Sequence, residues 1–444
     1  MLKFFFTFSV LIFLVGCSDT CVKTNTFEYD VLGASQSSNI VSKKAFSQPK
    51  PNMTNSEKDR FILGKSFFSI PWVEAPAATT ARDGLGPLFS ANTCLSCHPN
   101  NGAGVPLNSD GSIHRSLVMR LSNGNQAFDT VYGAQLSLNG TKEVRYEGTP
   151  KVIYHDKIIF YHDKSSDTLH DPSYSIDNLN YGELNATIAP RIALGLLGLG
   201  QLEKISKEDI LAHEDYHDEN GDGITGRVHY VHDIETNKTA IGRFTWKASA
   251  PTVKQQVAAA ASNDMGLTSV FFPNENCTSL QQECLDAPRG YHTFDIPMKR
   301  LNAITFYTKS LAVPNQRDSK NVYGGAKLFK ALNCVGCHVE SYTLDSKEII
   351  HPFTDLLLHD MGNGLSDGRI EGNASAQEWR TPPLWGVGLR KIVSGKKSYL
   401  HDGRAQTLEE AILWHGGEAK ASQNAFLALD KKDRVELIKF LESL

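Results

Sequence analysis

The chain has 444 residues and a formal net charge of −4. Its sequence pI is ≈ 6.4, so it lacks the basic surface that nucleic-acid binding requires, and no nucleic-acid partner is expected. Hydrophobic residues make up 41% of the sequence, as in ordinary soluble proteins, and the length is sufficient for two or three domains.

The first residues have the pattern of an export signal. A positive charge at Lys3 is followed by an apolar run over residues 4–15, which is too short to span a bilayer. Leu14-Val15-Gly16-Cys17 resembles the bacterial lipoprotein box, in which the cysteine is lipidated; ordinary signal cleavage near Cys17 is the alternative. We therefore expect a signal peptide over 1–16 and an exported protein whose only membrane contact is a lipid on Cys17. The expected location is the periplasmic face of a bacterial membrane, the outer one.

Residues 17–55 are rich in Ser, Asn, Thr and Lys and show little periodicity. This composition predicts a flexible tether between the lipid anchor and the folded body.

Two copies of Cys-x-x-Cys-His, at residues 94–98 and 334–338, are the most informative motifs of the chain. This is the attachment motif of c-type haem: both thiols bond to the haem vinyl groups, and the adjacent imidazole binds the iron. With 8 Cys and 15 His in the chain, about 0.005 such matches are expected by chance. A redox dithiol or half of a zinc site is the alternative, but neither needs the histidine twice. Two covalent haem c groups are therefore predicted, on Cys94, Cys97 and His98, and on Cys334, Cys337 and His338.

A helical pattern leads into each motif, at residues 57–68 and 324–333, with phenylalanine placed to face the haem. This internal repeat predicts a mainly α fold of two cytochrome c-like haem modules, over 56–314 and 315–444. Strand-like runs at 116–121 and 144–160 indicate that the first module is enlarged by inserted loops and a small β element.

Residues 218–226 resemble the start of a calcium loop, with oxygen ligands at Asp218, Asn220 and Asp222. The glutamate expected at the twelfth loop position is replaced by His229, so the full pattern fails. A calcium site and a plain Asn/Asp/Gly turn both remain open.

Three cysteines remain outside the haem motifs and the lipidation site. Cys277 and Cys284 lie seven residues apart in a polar loop, and an oxidising compartment would allow them to form a local disulfide. Cys21 would then be free or paired with another chain, and the sequence does not decide between these.

The last hundred residues contain the candidates for a further iron ligand. Thr407 and Glu410 form a capping box that starts a helix, and this helix carries the chain to His415. A c-type haem needs either a sixth ligand, for electron transfer, or an open face, for chemistry. The candidates near the second motif are His415, Met361, His401 and His359.

Three segments here resemble bacterial di-haem cytochrome c peroxidases and the related di-haem enzyme that matures methylamine dehydrogenase. They are Arg-Thr-Pro-Pro-Leu at 380–384, His-Asp-Gly-Arg at 401–404 and Thr-Leu-Glu-Glu-Ala at 407–411. Further segments resemble more closely the bacterial di-haem oxidoreductase family often labelled thiol oxidoreductase. They lie at 132–136, 189–191, 242–248, 264–266 and 415–419, and the resemblance extends from residue 57 to the end of the chain.

The resemblance implies ligands position by position. The peroxidases place a methionine ligand where this chain has His415, which implies bis-histidine ligation by His338 and His415 and a lowered potential; Met361 is the fallback. They also place a removable distal histidine sixteen residues after the proximal one, which implies His114, although an exposed loop histidine is the alternative. The distal acid is left open among Gln135, Glu143 and Glu147. Haem propionates are expected on Arg380, His401 and Arg404.

The resulting hypothesis is a peroxidase-like enzyme. Peroxide would react at the His98 haem, with His114 as its catalytic residue, and electrons would pass through the His338 haem. The expected partners are a small redox protein and a small oxidant such as peroxide. A non-catalytic electron-transfer cytochrome and a thiol or sulfur-compound oxidase are the alternatives.

Overall fold

The computed structural model describes residues 31–123 and 128–444. The predicted signal peptide, the lipidation site Cys17 and the first part of the predicted tether lie outside these residues. Every helix in these residues is too short or too polar to span a lipid bilayer.

The described residues contain α-helices in all parts of the chain. They are α1 (Asn55–Ser69), α2 (Cys94–Cys97), α3 (Leu199–Leu202), α4 (Lys207–Leu211), α5 (Val253–Met265), α6 (Gln282–Leu285), α7 (Met298–Lys309), α8 (Tyr323–Ala331), α9 (Arg390–Ser394), α10 (Leu408–Leu413), α11 (Lys420–Ala428) and α12 (Lys431–Ser443).

The strands form sheets of two strands each. They are β1 (Ser37–Ser38), β2 (Val73–Glu74), β3 (Asp83–Leu85), β4 (Leu88–Phe89), β5 (Leu117–Ser122), β6 (Asn139–Gly140), β7 (Thr149–Phe160), β8 (Ser166–Asp177), β9 (Thr187–Ile192), β10 (Tyr230–Asp233), β11 (Lys238–Ile241), β12 (Val313–Pro314), β13 (Tyr342–Thr343), β14 (Ile349–Ile350), β15 (Leu358–Asp360) and β16 (Glu378–Arg380). The pairs are β1–β12, β2–β3, β4–β6, β5–β9, β7–β8, β10–β11, β13–β14 and β15–β16. Strands are thus more numerous than a mainly α expectation implies.

At two helix crossings a glycine lies against the backbone of the partner helix. Where α1 crosses α7, a Cβ on Gly64 would lie 2.1 Å from the carbonyl oxygen of Ala303. Where α8 crosses α12, a Cβ on Gly325 would lie 2.1 Å from the carbonyl oxygen of Glu436. Glycine is therefore what allows the backbones to approach in both places. Since α1 and α8 each precede one Cys-x-x-Cys-His motif, the sequence repeat is also a structural repeat.

An aromatic contact accompanies each crossing. The ring centroids of Phe68 and His98 are 6.4 Å apart, and those of Phe329 and His338 are 6.2 Å apart. Phe68 also contacts Tyr307 of α7 at 5.2 Å, and Phe329 contacts Phe440 of α12 at 5.4 Å. Each helix pair thus limits the position of the histidine in its own motif.

The longest strands, β7 and β8, form a two-stranded ribbon in the part of the sequence between the two motifs. β7 and β8 are antiparallel over twelve positions, and β5 pairs with β9 over six. The ribbon packs on the C-terminal helices: Tyr161 contacts Phe426 at 6.2 Å, and Arg434 lies 2.9 Å from Asp163. The strand-like runs of the sequence coincide with β5 and β7, whereas the return strands β8 and β9 were not predicted.

Residues 31–55 are folded onto the body, so the predicted flexible tether is wrong for this part of the chain. Leu32 and Phe46 are 0% and 2% exposed, and Ser37–Ser38 pairs in parallel with Val313–Pro314. The physical reason is that a few widely spaced apolar residues produce no helical or strand periodicity in the sequence, although their side chains are buried against the folded body. The same apolar cluster extends to Leu444, so the two predicted modules share one core.

Cys277 and Cys284 are joined by a disulfide, with Cα atoms 5.6 Å apart, and Cys284 lies in α6. This cross-link closes a loop that packs against Leu88 and Val144 of the first half.

Candidate functional site

The first motif opens on a cavity of ≈ 320 Å³ that Cys94, Cys97 and His98 line. The motif forms the single turn α2, and the Oγ1 atom of Thr93 caps it by accepting the amide of Ser96 at 3.0 Å. Nδ1 of His98 lies 2.8 Å from the carbonyl oxygen of Leu194. Because a carbonyl can only accept, Nδ1 carries the proton and Nε2 is left as the free ligand atom.

The second motif repeats this arrangement at a cavity of ≈ 180 Å³. Cys334, Cys337 and His338 line it, and Nδ1 of His338 lies 2.9 Å from the carbonyl oxygen of Phe353. Burial lowers the pKa of His98 and of His338 to about 4. Both imidazoles are therefore neutral at pH 7, which is the form that binds a metal.

The four motif thiols form no disulfide. Burial raises the pKa of Cys94 and of Cys334 to about 12. A reactive dithiol requires the opposite shift, toward the thiolate, so these pairs do not have the electrostatics of a redox dithiol.

His415 lines the second cavity together with His338. Its Nδ1 atom donates to the carbonyl oxygen of Ala411 at 2.7 Å, and burial lowers its pKa. The second cavity thus has two neutral imidazoles with Nδ1 bound to a backbone carbonyl. Met361, the fallback ligand, and His401 also line it.

The first cavity differs, because within the described residues its lining includes no second histidine and no methionine. The structure does not bring His114 there, so the assignment of His114 as a catalytic residue from its spacing is not supported. The loop after His98 folds back on itself: the amide of His114 donates to Pro106 at 2.9 Å, and Nδ1 of His114 lies 2.7 Å from Oγ of Ser116. The spacing of sixteen residues from His98 therefore does not identify a residue of the first cavity in this chain.

A polar group that the sequence did not predict lines the first cavity instead. Gln135 donates from Nε2 to Oδ1 of Asp264 at 2.8 Å, and its own oxygen accepts from Arg120 at 3.1 Å. Burial raises the pKa of the Asp264 carboxyl. The sequence indicates Gln135 as a candidate for the distal acid, but residues 264–266 only as a segment that resembles the family. Gly266, at φ +64°, ends α5, and Asp264 at this turn lines the cavity.

The other candidates for the distal acid lie elsewhere. Glu147 is buried but accepts from the amide of Ser137 at 2.5 Å and from Gln281 at 2.6 Å. It does not line either cavity, and Glu143 is exposed.

One wall separates the two cavities, and the residues common to both linings are Trp246, Arg380, Pro382, Pro383, Val387 and Arg390. Burial lowers the pKa of Arg380 to about 10 and that of Arg390 as well. Arg380 donates to the carbonyls of Thr245 and Thr381, and Arg390 donates to that of Ser398. In the described part of the chain neither forms a salt bridge; Arg380 is buried and Arg390 is half-buried.

The other two expected propionate partners behave differently. His401 lines the second cavity. Arg404 pairs with Asp402 at 2.9 Å, contacts the Trp414 ring at 4.6 Å and lines neither cavity.

One group in the described residues has the composition of a metal site: ligand atoms of Cys337, Asp355 and His359 lie within 4.8 Å of one another. However, both ring nitrogens of His359 are already engaged, with Asp355 at 2.7 Å and with Glu418 at 2.7 Å. Cys337 also belongs to the second motif, so this group does not have the free ligands of a zinc site.

The acidic loop at 218–226 is held by its own hydrogen bonds. Asp218 accepts the amide of Gly223 at 3.1 Å, Asn220 that of Asp222 at 2.8 Å, and Asp222 that of Ile224 at 2.9 Å. His229, at the twelfth position, donates from Nδ1 to the carbonyl oxygen of Lys247 at 2.7 Å instead. The loop contacts the second motif, because a Cβ on Gly336 would lie 2.6 Å from Ile224.

The match to a family model agrees with the two-motif arrangement. A family model described as "Di-haem oxidoreductase, putative peroxidase" matches residues 33–147 and 105–444. No curated protein matches the chain significantly. Among solved structures, hydrazine synthase of Kuenenia stuttgartiensis, pressurised with 20 bar xenon, is similar at 13% identity and a TM-score of 0.35. That match covers 90% of this chain and 94% of the other.

Proposed function

The chain belongs to the di-haem oxidoreductase family, and from this premise we propose that it is an exported c-type peroxidase that reduces peroxide at its first motif. Each Cys-x-x-Cys-His segment would hold one haem through two thioethers, with His98 and His338 as proximal ligands. When bound, the haem iron supplies the peroxide-activating and electron-transfer chemistry.

The residues fit two haem groups. Each cavity joins two unpaired thiols, a neutral imidazole and, on the common wall, the cations of the buried Arg380 and the half-buried Arg390. A haem carries two propionates, and these carboxylates would supply salt-bridge partners, through charge-assisted hydrogen bonds, to the two arginines.

A difference between the two linings supports different roles for the two haems: His359, His401 and His415 line the second cavity besides His338, whereas the described lining of the first has His98 as its only histidine. Ligation by His338 and His415 would saturate the second iron for electron transfer. The first iron would keep an open position beside Gln135 and Asp264. The overall reaction is reduction of peroxide to two waters, with two protons from solvent and two electrons from a small redox protein.

Trp246 is proposed to carry electrons between the sites, because its indole lines both cavities. Its Nε1 atom donates to the carbonyl oxygen of Ile192 at 2.8 Å, which fixes the ring in the wall.

Two further proposals rest on sequence patterns. The signal segment and Cys17 support attachment to the periplasmic face of a membrane. Asp218, Asn220 and Asp222 support a calcium ion in a loop that packs on the second motif through Ile224.

The test uses the full chain, produced in a host that attaches haem c. Replacing Cys94 and Cys97 by Ala should remove one haem of two, and so should replacing Cys334 and Cys337. Peroxide turnover is then measured with a one-electron donor protein, with small thiols as an alternative donor. If both haems are six-coordinate and low-spin in every redox state, and neither binds cyanide or reacts with peroxide, the protein is an electron-transfer cytochrome and the proposal is wrong.

A further inference from the structure

We propose that Asp264 is the acid–base group for peroxide at the first site and that Gln135 and Arg120 position it. The proposal deepens the peroxidase function above and rests on it.

The backbone holds Asp264 next to the first motif. The amides of Ser90 and Ala91 donate to the carbonyl oxygen of Asp264 at 2.8 and 3.0 Å, four and three residues before Cys94. Gly266 packs against Gly86, where an added Cβ would lie 2.4 Å away. The end of α5 and the segment that enters the motif are therefore one rigid unit.

The side chain is held at one oxygen. Gln135 donates to Oδ1, and the same amide also donates to the carbonyl oxygen of Asn263 at 3.1 Å. Arg120 fixes the other end of Gln135. In the described residues Oδ2 of Asp264 has no hydrogen-bond partner, so it remains available to a ligand in the cavity.

Two acidic residues, Asp264 and Glu371, are among those that line the cavity, and the charges around them favour Asp264 as the group that exchanges a proton. Burial opposes the ionisation of Glu371, but Arg120, Arg191 and Arg369 outweigh it and lower the pKa of Glu371 to about 2. Glu371 is therefore permanently ionised and cannot return a proton. The pKa of Asp264 is raised by burial, against smaller opposing effects of Gln135 and Arg120, so its carboxyl can exchange a proton closer to neutral pH.

Lys247 also lines the cavity but is not available for this role. Its ammonium donates to the carbonyls of Ser375 at 2.6 Å and Glu378 at 2.8 Å.

The Asp264 carboxylate accepts the proton of one peroxide oxygen and delivers it to the other. The O–O bond then breaks, and the protonated oxygen leaves as water. The remaining oxygen takes two electrons from the redox protein and two protons from solvent and becomes the second water.

The experiment compares the holoprotein with Asp264→Asn and Asp264→Glu. As a matched control we choose Glu275→Gln, because the Glu275 carboxyl also has a pKa raised by burial, to about 7, but lies outside both cavities. Stopped-flow spectroscopy measures the rates of the peroxide reaction and of cyanide binding as a function of pH. Cyanide is informative because hydrogen cyanide must lose its proton to a base before it binds iron.

We expect Asp264→Asn to slow the peroxide reaction by ~10²–10⁴-fold and to slow cyanide binding, at unchanged haem content. Asp264→Glu should restore part of both rates, and Glu275→Gln should resemble the wild type. Wild-type rates in Asp264→Asn would overturn the proposal. A wild type that binds cyanide but does not react with peroxide would refute the peroxidase function instead, and its cyanide rates would still test Asp264.

Gln135→Leu provides a second test if Asp264→Asn does not fold. Losing the amide removes a group that lowers the pKa of Asp264, so the pH at which cyanide binding accelerates should move upward. An unchanged pH profile would exclude the positioning role of Gln135.

Discussion

His401 stacks on Trp379 with ring centroids 3.9 Å apart and planes inclined by 11°. Lys247 and Arg191 also lie over the Trp379 ring, at 4.1 and 4.5 Å from its centroid. Because His401 covers one face, the two cations must occupy the other. Cations over an indole favour its neutral form over its oxidised form, so Trp379 is a poor electron carrier although it lines the second cavity.

Trp246 contacts Trp379 edge-on at 6.5 Å, and no such cation lies over its ring in the described residues. We therefore predict that Trp246→Phe slows electron transfer between the haems by about tenfold, or ~1.4 kcal/mol of barrier. Trp379→Phe should leave the rate unchanged. Flash reduction of the half-reduced holoprotein measures this rate without peroxide. Equal slowing in both variants would mean that Trp379 also carries the electron.

A second prediction concerns the ligand at the second haem. His415→Met should raise the midpoint potential of that haem by ~100 mV or more, within the ≈ 0.8 V range that axial ligands span, because a His/Met pair stabilises the reduced iron. Redox titration followed by absorbance measures the change. Met361→Leu is the matched control, since this residue lines the same cavity. A potential that moves in Met361→Leu and not in His415→Met would identify methionine as the ligand.

The features that could be predicted from the sequence are those encoded locally. The two motifs lie within five residues each, and the strand-like run at 116–121 coincides with β5. Asp264 could not be found in this way, because its contact with Gln135 joins residues 129 positions apart. The spacing argument for His114 is not supported by the structure for a related reason: a count of residues assumes a loop path, and here the loop folds back to Pro106.

The two helix crossings give a prediction about stability. Gly64→Ala and Gly325→Ala should each destabilise the fold by ~1–3 kcal/mol, because the new methyl group meets a backbone carbonyl that cannot move freely. Gly324→Ala is the control on the same helix α8: its nearest neighbour is a flexible Glu436 oxygen at 3.7 Å, and it should be neutral or stabilising by ~0.5–1 kcal/mol. Urea denaturation measures all three. A tolerated Gly325→Ala would show that α8 and α12 can separate without cost.

The last prediction concerns Glu147, which is 1% exposed. Burial raises its pKa from 4.5 to about 7, against the hydrogen bonds from Ser137 and Gln281. Between these values the folded protein binds a proton that the unfolded chain has released. This proton on Glu147 therefore contributes to the free energy of unfolding in full below pH 4.5, and the contribution is lost as the pH rises through 7. It amounts to ~3 kcal/mol at most.

Glu147→Gln cannot ionise, so it should remove this slope from the free energy of unfolding. At about pH 5 the variant should be less stable by ~1 kcal/mol, because one hydrogen bond is lost when Gln281 must reorient. At about pH 8 the order should reverse, because only the wild type then contains a buried carboxylate. Urea denaturation at both pH values measures the difference, with the exposed Glu143→Gln as control. A difference between wild type and Glu147→Gln that is independent of pH would show that Glu147 titrates alike in the folded and unfolded chains.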